Sequence, residues 1–190
     1  MKVLIIGGNG QLGKSLFNTK PENLDLISYS KEEFNLLDID NCLKKIEKVK
    51  PNYVINAAAY TAVDKAETEK EMVEVINAKN PYKIACSLDN LGGKFIQIST
   101  DFVFNGLKSS PYQTNDELFP LNEYGKSKAL CEKLLVELSN TKIIRTSWLY
   151  SPFGKNFCLT MLRLHKTCLD KEVPLRVVSD QISCPTSSYS

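Results

Sequence analysis

The sequence predicts an α/β fold with a doubly wound parallel sheet. Short apolar segments alternate along the 190-residue chain with segments of helical apolar periodicity, which is the pattern of successive strand–helix–strand units. The first apolar segment, residues 3–6, is typical of a strand buried on both faces, and a glycine-rich turn follows it directly. A hydrophobic content of 43% supports a substantial core, so we expect one domain and the start of a second.

The predicted elements follow one another without internal repeats. Asp38 or Asp40 is expected to cap the second helix, and Pro81 to interrupt a long helix, which is either kinked or split there. Residues 105–121 are expected to form a polar excursion over the mouth of a cleft. We predict strands at 3–6, 24–28, 53–56, 94–98, 142–145 and 175–178, and helices from residue 12 and at 38–48, 69–91, 123–138 and 156–169.

The composition argues against several classes of partner. The formal net charge is +2, and no basic stretch is interleaved with aromatic residues, so we expect no nucleic-acid partner. No apolar stretch approaches the roughly 20 residues of a membrane span. The six cysteines lack Cys-x-x-Cys spacing, and the single histidine has no ligand-spaced partner. We therefore expect a cytoplasmic protein with reduced cysteines, no membrane contact and no metal site.

The carboxyl ends of the predicted strands are expected to share one edge, because crossovers between parallel strands are right-handed. Ligands bind at that edge in sheets of this kind. The segments that follow the strands are rich in small, hydroxyl and amide side chains, which leave space for a flat cofactor and supply hydrogen bonds to it. These segments are 56–64, 99–101, 146–148 and 179–181, together with the glycine turn.

The glycine turn after the first strand indicates a dinucleotide site. Gly7, Gly10 and Gly13 fit Gly-x-x-Gly-x-x-Gly, and Gly8 begins the alternative Gly-x-Gly-x-x-Gly. Glycines allow the tight turn and the close approach of a pyrophosphate, and the first helical N–H groups then face the phosphates. The expected cofactor contacts in this turn are Gly7, Gly10, Gln11, Leu12 and Gly13.

The residues from Gly8 to Ser15 also satisfy the phosphate-loop pattern Gly-x-x-x-x-Gly-Lys-Ser. Asp101 is the one candidate for a magnesium-binding acid at a strand end. Because a tyrosine–lysine pair at 124 and 128 would then have no role, we favour a dinucleotide site over nucleotide hydrolysis.

The end of the second strand bears on the choice of cofactor. Ser30 and Lys31 place a hydroxyl and a cation at the tip, where an acidic residue would repel a 2′-phosphate. This favours NADPH or the use of both cofactors, although Glu32 and Glu33 lie close enough to keep NADH open. The expected contacts are Ser30 and Lys31 near the ribose, and Asn35 and Leu36 beside the adenine.

Tyr124 and Lys128 are expected to share one helix face and to point into the cleft. The ammonium should lower the pKa of the tyrosine, which suits Tyr124 to exchange a proton with a carbonyl oxygen during hydride transfer. Lys128 is also expected to hold the nicotinamide ribose. Thr100, or Ser99, at the end of the fourth strand is expected to hydrogen-bond the same carbonyl. These residues predict a nicotinamide-dependent reductase.

Seven segments of the chain carry a family resemblance: residues 7–13, 56–64, 99–106, 124–128, 145–150, 156–157 and 179–181. Together they resemble the extended short-chain dehydrogenase/reductase family, and within it the dTDP-4-dehydrorhamnose reductases. The resemblance implies NAD(P)H-dependent reduction of the 4-keto group of dTDP-4-dehydrorhamnose to dTDP-L-rhamnose, for cell-surface glycans. It also implies that Thr100, Tyr124 and Lys128 form the catalytic triad.

The same resemblance implies further contacts. Cofactor contacts are expected at Ala57, Ala58, Ala59, Tyr60 and Asn77, in addition to Tyr124 and Lys128. Substrate contacts are expected at Val63, Asp101, Val103, Trp148 and Asn156.

The chain also departs from the family pattern. Phe102 stands where the family usually has Tyr, and residues 183–186 replace a Gly-Ser-Pro-Thr segment. Members of the family continue beyond the equivalent of Ser190 with elements that complete the sugar-nucleotide pocket and take part in Mg²⁺-linked dimerisation, so a homodimer is possible. We expect residues 1–150 to form the NAD(P)-binding core and 151–190 to begin an incomplete substrate-binding region.

Two other functions stay open at this stage. The first is a non-catalytic NADP-binding subunit similar to the regulatory subunit of methionine adenosyltransferase, which shares this fold. The second is a related sugar-nucleotide epimerase or dehydratase, which would hold NAD tightly. The lack of an acidic residue at the tip of the second strand argues against the second alternative.

Overall fold

The computed structural model describes residues 1–189 and contains one five-stranded sheet with the strand order β2-β1-β3-β4-β5. All four strand pairings are parallel. The strand order reverses at β1, between β2 and β3, which is the switch point where α/β sheets bind ligands. The strands are β1 (Lys2–Ile6), β2 (Asp25–Tyr29), β3 (Tyr53–Asn56), β4 (Lys94–Thr100) and β5 (Thr141–Thr146).

Helices cover both faces of this sheet, which confirms the predicted doubly wound α/β fold. A π-helical turn (Val75–Lys79) joins the fourth and fifth helices, and a 3-10 turn (Asp101–Val103) follows β4. The helices are α1 (Gln11–Asn18), α2 (Ile39–Val49), α3 (Val63–Ala66), α4 (Lys70–Glu74), α5 (Asn80–Asn90), α6 (Glu123–Leu135) and α7 (Phe157–Asp170).

The first strand lies at the centre of the packing, as its continuous apolar sequence predicts. Leu4 and Ile6 belong to the main core, which β1 forms with α2, α5 and α6. Val3 and Ile5 face the opposite side of the sheet, where Leu16 of α1 lies near them. All four strand residues are buried, so β1 holds the glycine turn rigidly at the edge of the sheet.

The predicted sixth strand is wrong. Residues 175–178 have no regular structure, and Val177 and Val178 are exposed. A strand needs a neighbour for its backbone N–H and C=O groups, and β5 pairs only with β4 within residues 1–189. An apolar run alone therefore did not determine a strand here.

The long helix predicted over residues 69–91 is interrupted directly before Pro81, by an irregular turn and not by a kink at the proline itself. The irregularity is the π-helical turn Val75–Lys79, and Pro81 follows in the first turn of α5. Because proline has no N–H group, Pro81 makes no backbone hydrogen bond back to the π-helical turn that precedes it. The predicted cap of α2 is confirmed, since the Asp38 carboxylate accepts a hydrogen bond from the Asn41 N–H at 3.2 Å.

Among residues 1–189, no helix combines the length and the apolar composition that a membrane crossing requires.

Candidate active site

The glycine turn brings backbone atoms closer together than side chains would allow. Gly7 has φ +87°, and a Cβ on it would lie 2.8 Å from the Ala58 nitrogen. A Cβ on Gly13 would lie 2.4 Å from the Gly7 carbonyl oxygen. The first intrahelical bond of α1 runs from the Lys14 N–H to the Gly10 oxygen, so the N–H groups of residues 11–13 precede it. These groups form the positive end of the α1 dipole beside the turn.

The alternative glycine, Gly8, has a packing role. A Cβ on Gly8 would lie 1.9 Å from the Ser28 Oγ atom of β2. The glycines of the first spacing are therefore required by the turn itself. Gly8, which begins the second spacing, is required by the contact of the turn with β2.

The tip of β2 carries a carboxylate that folds back on it. The Ser30 N–H donates to Glu33 Oε2 at 2.8 Å, and the Glu33 N–H donates to Ser30 Oγ at 3.3 Å. The bonds from the Ser30 backbone and side chain hold the pKa of Glu33 below its usual value, so the carboxylate stays charged. Lys31 is exposed beside it. The tip therefore presents both signs of charge.

The two residues expected beside the adenine lie in different surroundings. Leu36 is buried in the core, and its carbonyl oxygen accepts a hydrogen bond from Asn80 Nδ2 at 2.6 Å. Asn35 is exposed, and its side chain accepts from the Leu37 N–H at 3.1 Å. The structure thus leaves Asn35, and not the Leu36 side chain, at the surface.

Asn77 connects the segment after β3 to α6. Its Oδ1 atom accepts from the Tyr60 N–H at 2.8 Å, and its Nδ2 atom donates to the Tyr60 oxygen and to Ser127 Oγ at 3.1 and 3.0 Å. The Tyr60 hydroxyl donates to Glu69, and this bond raises the pKa of Tyr60. Asn77 is buried and holds the backbone that follows Ala57, Ala58 and Ala59. Asn77 lies within the π-helical turn.

Thr100, Tyr124 and Lys128 lie together at the carboxyl end of β4. Thr100 is the last residue of β4, and Tyr124 and Lys128 lie one turn apart at the start of α6. The Asn122 side chain caps α6 by accepting from the Gly125 N–H at 2.7 Å. The Phe102 ring meets the Tyr124 ring edge to face, with centroids 5.7 Å apart. The structure therefore brings Tyr124 and Thr100 into side-chain contact, and it places Lys128 one turn further along the same helix.

The predicted direction of the Tyr124 pKa shift is wrong. Burial raises the pKa of Tyr124, the hydrogen bond with Thr100 opposes this, and the charge of Asp101 adds to it, so the net shift is upward. The phenol therefore stays protonated at neutral pH.

Lys128 is buried, with only 3% of its surface exposed. Its Nζ atom donates to the Ile98 oxygen at 2.5 Å. Burial lowers the pKa of Lys128, and the charges of Cys131 and Glu132 oppose this shift. A buried ammonium lowers the free energy of unfolding unless polar groups surround it. Buried charged groups of this kind are typical of functional sites.

Sequence reasoning missed Glu132, a buried acidic residue on the next turn of α6. Glu132, 3% exposed, accepts a hydrogen bond from Ser99 Oγ at 2.5 Å. It also accepts from Arg145 Nε at 3.1 Å and from the Arg145 Nη2 atom at 2.6 Å. The available signal was the spacing of four residues between Lys128 and Glu132, which places both on one helix face.

The expected substrate contacts are dispersed along the carboxyl edge. Val63 begins α3, whereas Val103 is fully buried in the 3-10 turn and faces the core. Asp101 accepts from Thr100 Oγ1 at 3.1 Å and from Ser183 Oγ at 3.3 Å. Trp148 has φ +45°, which is rare for a bulky residue, and its ring lies 5.7 Å from that of Phe157.

The structure joins the glycine turn to the chain that follows β5. Asn156 caps α7 by accepting from the Leu159 N–H, and its Nδ2 atom donates to Gln11 Oε1 at 2.9 Å. Ser151 Oγ donates to the same Gln11 oxygen at 3.1 Å. The Gln11 side chain, expected to contact the cofactor, is therefore held by the segment expected to contact substrate.

No group of three or more His, Cys, Asp or Glu side chains within residues 1–189 is arranged to hold a metal ion.

A parallel sheet with its switch point at a glycine turn, and a Tyr-x-x-x-Lys helix at the same edge, define a Rossmann-fold protein of the extended short-chain dehydrogenase type. The family model described as the RmlD substrate binding domain matches residues 1–190, and the chain belongs to that family. A dTDP-4-dehydrorhamnose reductase of Burkholderia thailandensis is 38% identical, over 100% of this chain and 63% of its own.

Solved structures show the same likeness. A dTDP-4-dehydrorhamnose reductase of Clostridium acetobutylicum is 39% identical, with a TM-score of 0.93 over 100% of this chain and 66% of its own. The dTDP-4-dehydrorhamnose reductase of Bacillus anthracis, solved in complex with NADP, is 39% identical, with a TM-score of 0.83 over 87% of this chain and 60% of its own. The present chain spans about 63% of the length of the Burkholderia thailandensis relative.

Proposed function

We propose that this chain is the cofactor-binding and catalytic part of a dTDP-4-dehydrorhamnose reductase. The enzyme would reduce the 4-keto group of dTDP-4-dehydro-6-deoxy-L-mannose to give dTDP-L-rhamnose, in the cytoplasm, for cell-surface polysaccharides. The observation that carries the proposal is the contact of Tyr124 with Thr100 at the carboxyl end of β4, with Lys128 one turn further along the same helix. The named function of the relatives supports it, and the six unpaired cysteines suit a reducing compartment.

The glycine turn fits a dinucleotide pyrophosphate. The space that a Cβ on Gly7 or Gly13 would fill is taken by backbone, and the first N–H groups of α1 are directed toward the same edge. In this proposal the cofactor supplies the hydride. Its remaining contacts would be Ser30, Lys31, Asn35, Ala57, Ala58, Ala59 and Tyr60, and the buried Asn77 would hold the Tyr60 backbone in place for it.

NADPH is the cofactor that we favour, with NADH also accepted. Lys31 is exposed at the tip of β2, where it can meet a 2′-phosphate. The NADP complex of the Bacillus anthracis relative supports this preference. Glu33, which folds back on Ser30, limits the preference and leaves a partner for a ribose 2′-hydroxyl.

Tyr124 would donate its phenolic proton to the substrate oxygen as the carbonyl carbon is reduced. Its raised pKa keeps the phenol protonated at neutral pH, which is the state that a proton donor needs. Thr100 would hydrogen-bond the same oxygen, and the Lys128 ammonium would stabilise the negative charge that develops near it. Thr100 and Lys128 are buried and Tyr124 is partly buried, and removal from water strengthens such interactions.

We propose residues 1–150 as the NAD(P)-binding core and 151–190 as the start of the substrate-binding region. The substrate side would include Val63, Asp101, Trp148 and Asn156. Val103 would support these residues by packing below them and would not touch the substrate, because its side chain is fully buried.

A titration of the purified chain with NADPH and with NADH, followed by nicotinamide fluorescence, tests the cofactor site. We expect micromolar binding of NADPH and weaker binding of NADH. Absence of binding to both cofactors by a folded chain would contradict the proposal.

The reaction is tested in the protein extended to the length of its relatives. We expect Tyr124→Phe to lower substrate-dependent NADPH oxidation by about 10²–10⁴-fold, the usual contribution of a general acid. Tyr53→Phe is the matched control, since Tyr53 begins β3 at the end of the sheet away from the glycine turn. Equal activity of the Tyr124→Phe variant and the unsubstituted enzyme would contradict the assigned role.

A further inference from the structure

A buried ion pair joins three elements behind the candidate active site. Glu132 of α6 uses both carboxylate oxygens, which accept from Arg145 of β5 and from Ser99 of β4. The side chains of Glu132 and Arg145 are 4% and 24% exposed, so the pair is largely removed from water. We call the two residues together the Glu132–Arg145 pair.

The arginine side of the pair holds the loop of residues 104–116. Arg145 Nη1 donates to the Thr114 oxygen at 3.1 Å. The guanidinium lies over the Phe104 ring, 5.0 Å from its centroid. That ring stacks on Tyr112 at 4.0 Å, so one side chain of β5 contacts both ends of the loop.

The loop is otherwise packed largely on itself. The Tyr112 hydroxyl donates to Asn105 Oδ1 at 3.0 Å, and Lys108 pairs with Asp116 at 2.5 Å. The Gln113 N–H donates to Asp116 Oδ2 at 2.7 Å. These contacts give the loop a shape but do not attach it to the sheet, and Arg145 provides such an attachment.

The glutamate side of the pair holds the tip of β4. Glu132 accepts from Ser99, the residue that precedes Thr100, while Lys128 donates to the Ile98 oxygen. Two charged residues one turn apart on α6 therefore bind two successive residues of β4. This arrangement fixes Thr100 relative to the helix that carries Tyr124.

We propose that the Glu132–Arg145 pair positions both the tip of β4 and the loop 104–116 at the active site. The inference rests on the proposed function, because it assigns a role in building that same site. Neither residue is proposed to contact substrate. Glu132 acts through Ser99, and Arg145 acts through Thr114 and Phe104.

The physical argument is that stability alone does not account for such a pair. The free-energy cost of removing two charges from water offsets much of their mutual attraction. A protein with an apolar pair of similar volume in the same place is often equally stable. An apolar pair could not direct a fork of N–H groups to a carboxylate and a loop carbonyl together. The contribution of the ion pair is therefore geometric.

The decisive variant replaces both partners, Glu132→Met with Arg145→Leu. This variant fills the site and leaves neither member of the pair as an unpaired buried charge, so we expect it to fold with an unfolding temperature close to that of the wild type. A second variant, Arg145→Lys, keeps the charge but loses the fork. The matched control is Asn140→Ala, which removes bonds to the Ala85 and Gly93 oxygens at the far end of the sheet.

Hydrogen exchange of the chain without cofactor provides the first readout. In both Arg145 variants we expect the amides of the loop, those of Phe104 and Gln113 among them, to exchange about tenfold faster. The amides of α2 are expected to keep their wild-type rates, and Asn140→Ala is expected to leave the loop unchanged. Wild-type exchange of the loop in the apolar double variant would overturn the proposal.

NADPH affinity provides the second readout. We expect it to be about tenfold weaker in the double variant than in the Asn140→Ala control, because the tip of β4 shifts. Equal affinities would overturn the role at Thr100. If the wild-type chain bound no NADPH, the proposed function would fail, but loop exchange would still decide whether the pair holds the loop.

Discussion

The α6 backbone at Gly125 packs directly against the Phe102 carbonyl oxygen. A Cβ added to Gly125 would lie 2.3 Å from that oxygen and 3.1 Å from the Pro120 Cβ atom. Phe102 and Pro120, at the two ends of the segment between β4 and α6, therefore both pack closely against the first turn of the helix. The close approach brings Phe102 against Tyr124 and so shapes the surroundings of the candidate proton donor.

Substitution of this glycine should separate the excursion from the helix. We expect Gly125→Ala to lower the free energy of unfolding by about 1–3 kcal/mol, the usual cost of an added group in a packed site. It should also weaken NADPH binding, because Tyr124 shifts with the helix. Urea denaturation and the nicotinamide titration measure the two effects. Lys126→Ala, an exposed neighbour, is the control, and similar results for both variants would contradict the packing argument.

The third glycine of the turn should be equally intolerant of a side chain. We expect Gly13→Ala to abolish measurable NADPH binding, because the added Cβ would lie 2.4 Å from the Gly7 oxygen and 2.7 Å from the Gly8 Cα atom. The nicotinamide titration checks this. Asn18→Ala, at the exposed end of α1, should bind NADPH as the wild type does. Normal binding by Gly13→Ala would count against the dinucleotide site.

We expect the buried Lys128 to lower the free energy of unfolding, although it serves the proposed active site. Its pKa is lowered by burial, so the unfolded chain binds more protons between that lowered pKa and 10.5. Stability due to this group therefore rises with pH across that window, and the full penalty is present below it. We expect Lys128→Met to be at least as stable as the wild type at neutral pH, with the difference shrinking toward pH 10.5.

The same variant should lose NADPH affinity. The Ile98 oxygen keeps a hydrogen bond from Gln97 Nε2 at 2.7 Å, so the substitution leaves no unpaired carbonyl. Thermal unfolding over a pH series gives the stability, and Lys133→Met, an exposed lysine on α6, is the matched control. A destabilised Lys128→Met variant at neutral pH would show that the lysine is mainly structural.

The cysteines should differ sharply in reactivity. Burial raises the pKa of Cys131 to about 12 and that of Cys42 to about 11. Cys158 and Cys184 are exposed. Because the thiolate is the reactive form, iodoacetamide should modify the exposed pair first at neutral pH. Mass spectrometry of the labelled chain checks the order, with urea-unfolded protein as the control in which all six react. Early labelling of Cys131 would contradict its burial.

The parts of the site that depend on local spacing could be predicted from the sequence. Gly7 and Gly13 act within one turn, and Tyr124 and Lys128 act within one turn of a helix. The backbone geometry of each turn follows from residues at short range. The burial of β1 could be predicted for the same reason, since a run of four apolar residues leaves no polar face.

The contacts that cross the fold could not be predicted. Glu132 meets Arg145 and Ser99 only after three separate elements have packed, and no spacing along the chain encodes that meeting. The direction of the Tyr124 pKa shift failed for the same reason, because burial depends on what covers the residue. The strand predicted at 175–178 failed because pairing needs a neighbour as well as an apolar sequence.

The π-helical turn Val75–Lys79 determines how α5 is rotated about the helix axis relative to α4. A wider turn holds one extra residue, and each residue of an α-helix accounts for about 100° of rotation. α4 contacts α6, whereas α5 contacts α2 and β4 as well as α6. Deleting a single residue from this turn would rotate Ile84 and Leu88 out of the core, so the length of this segment is as constrained as its composition.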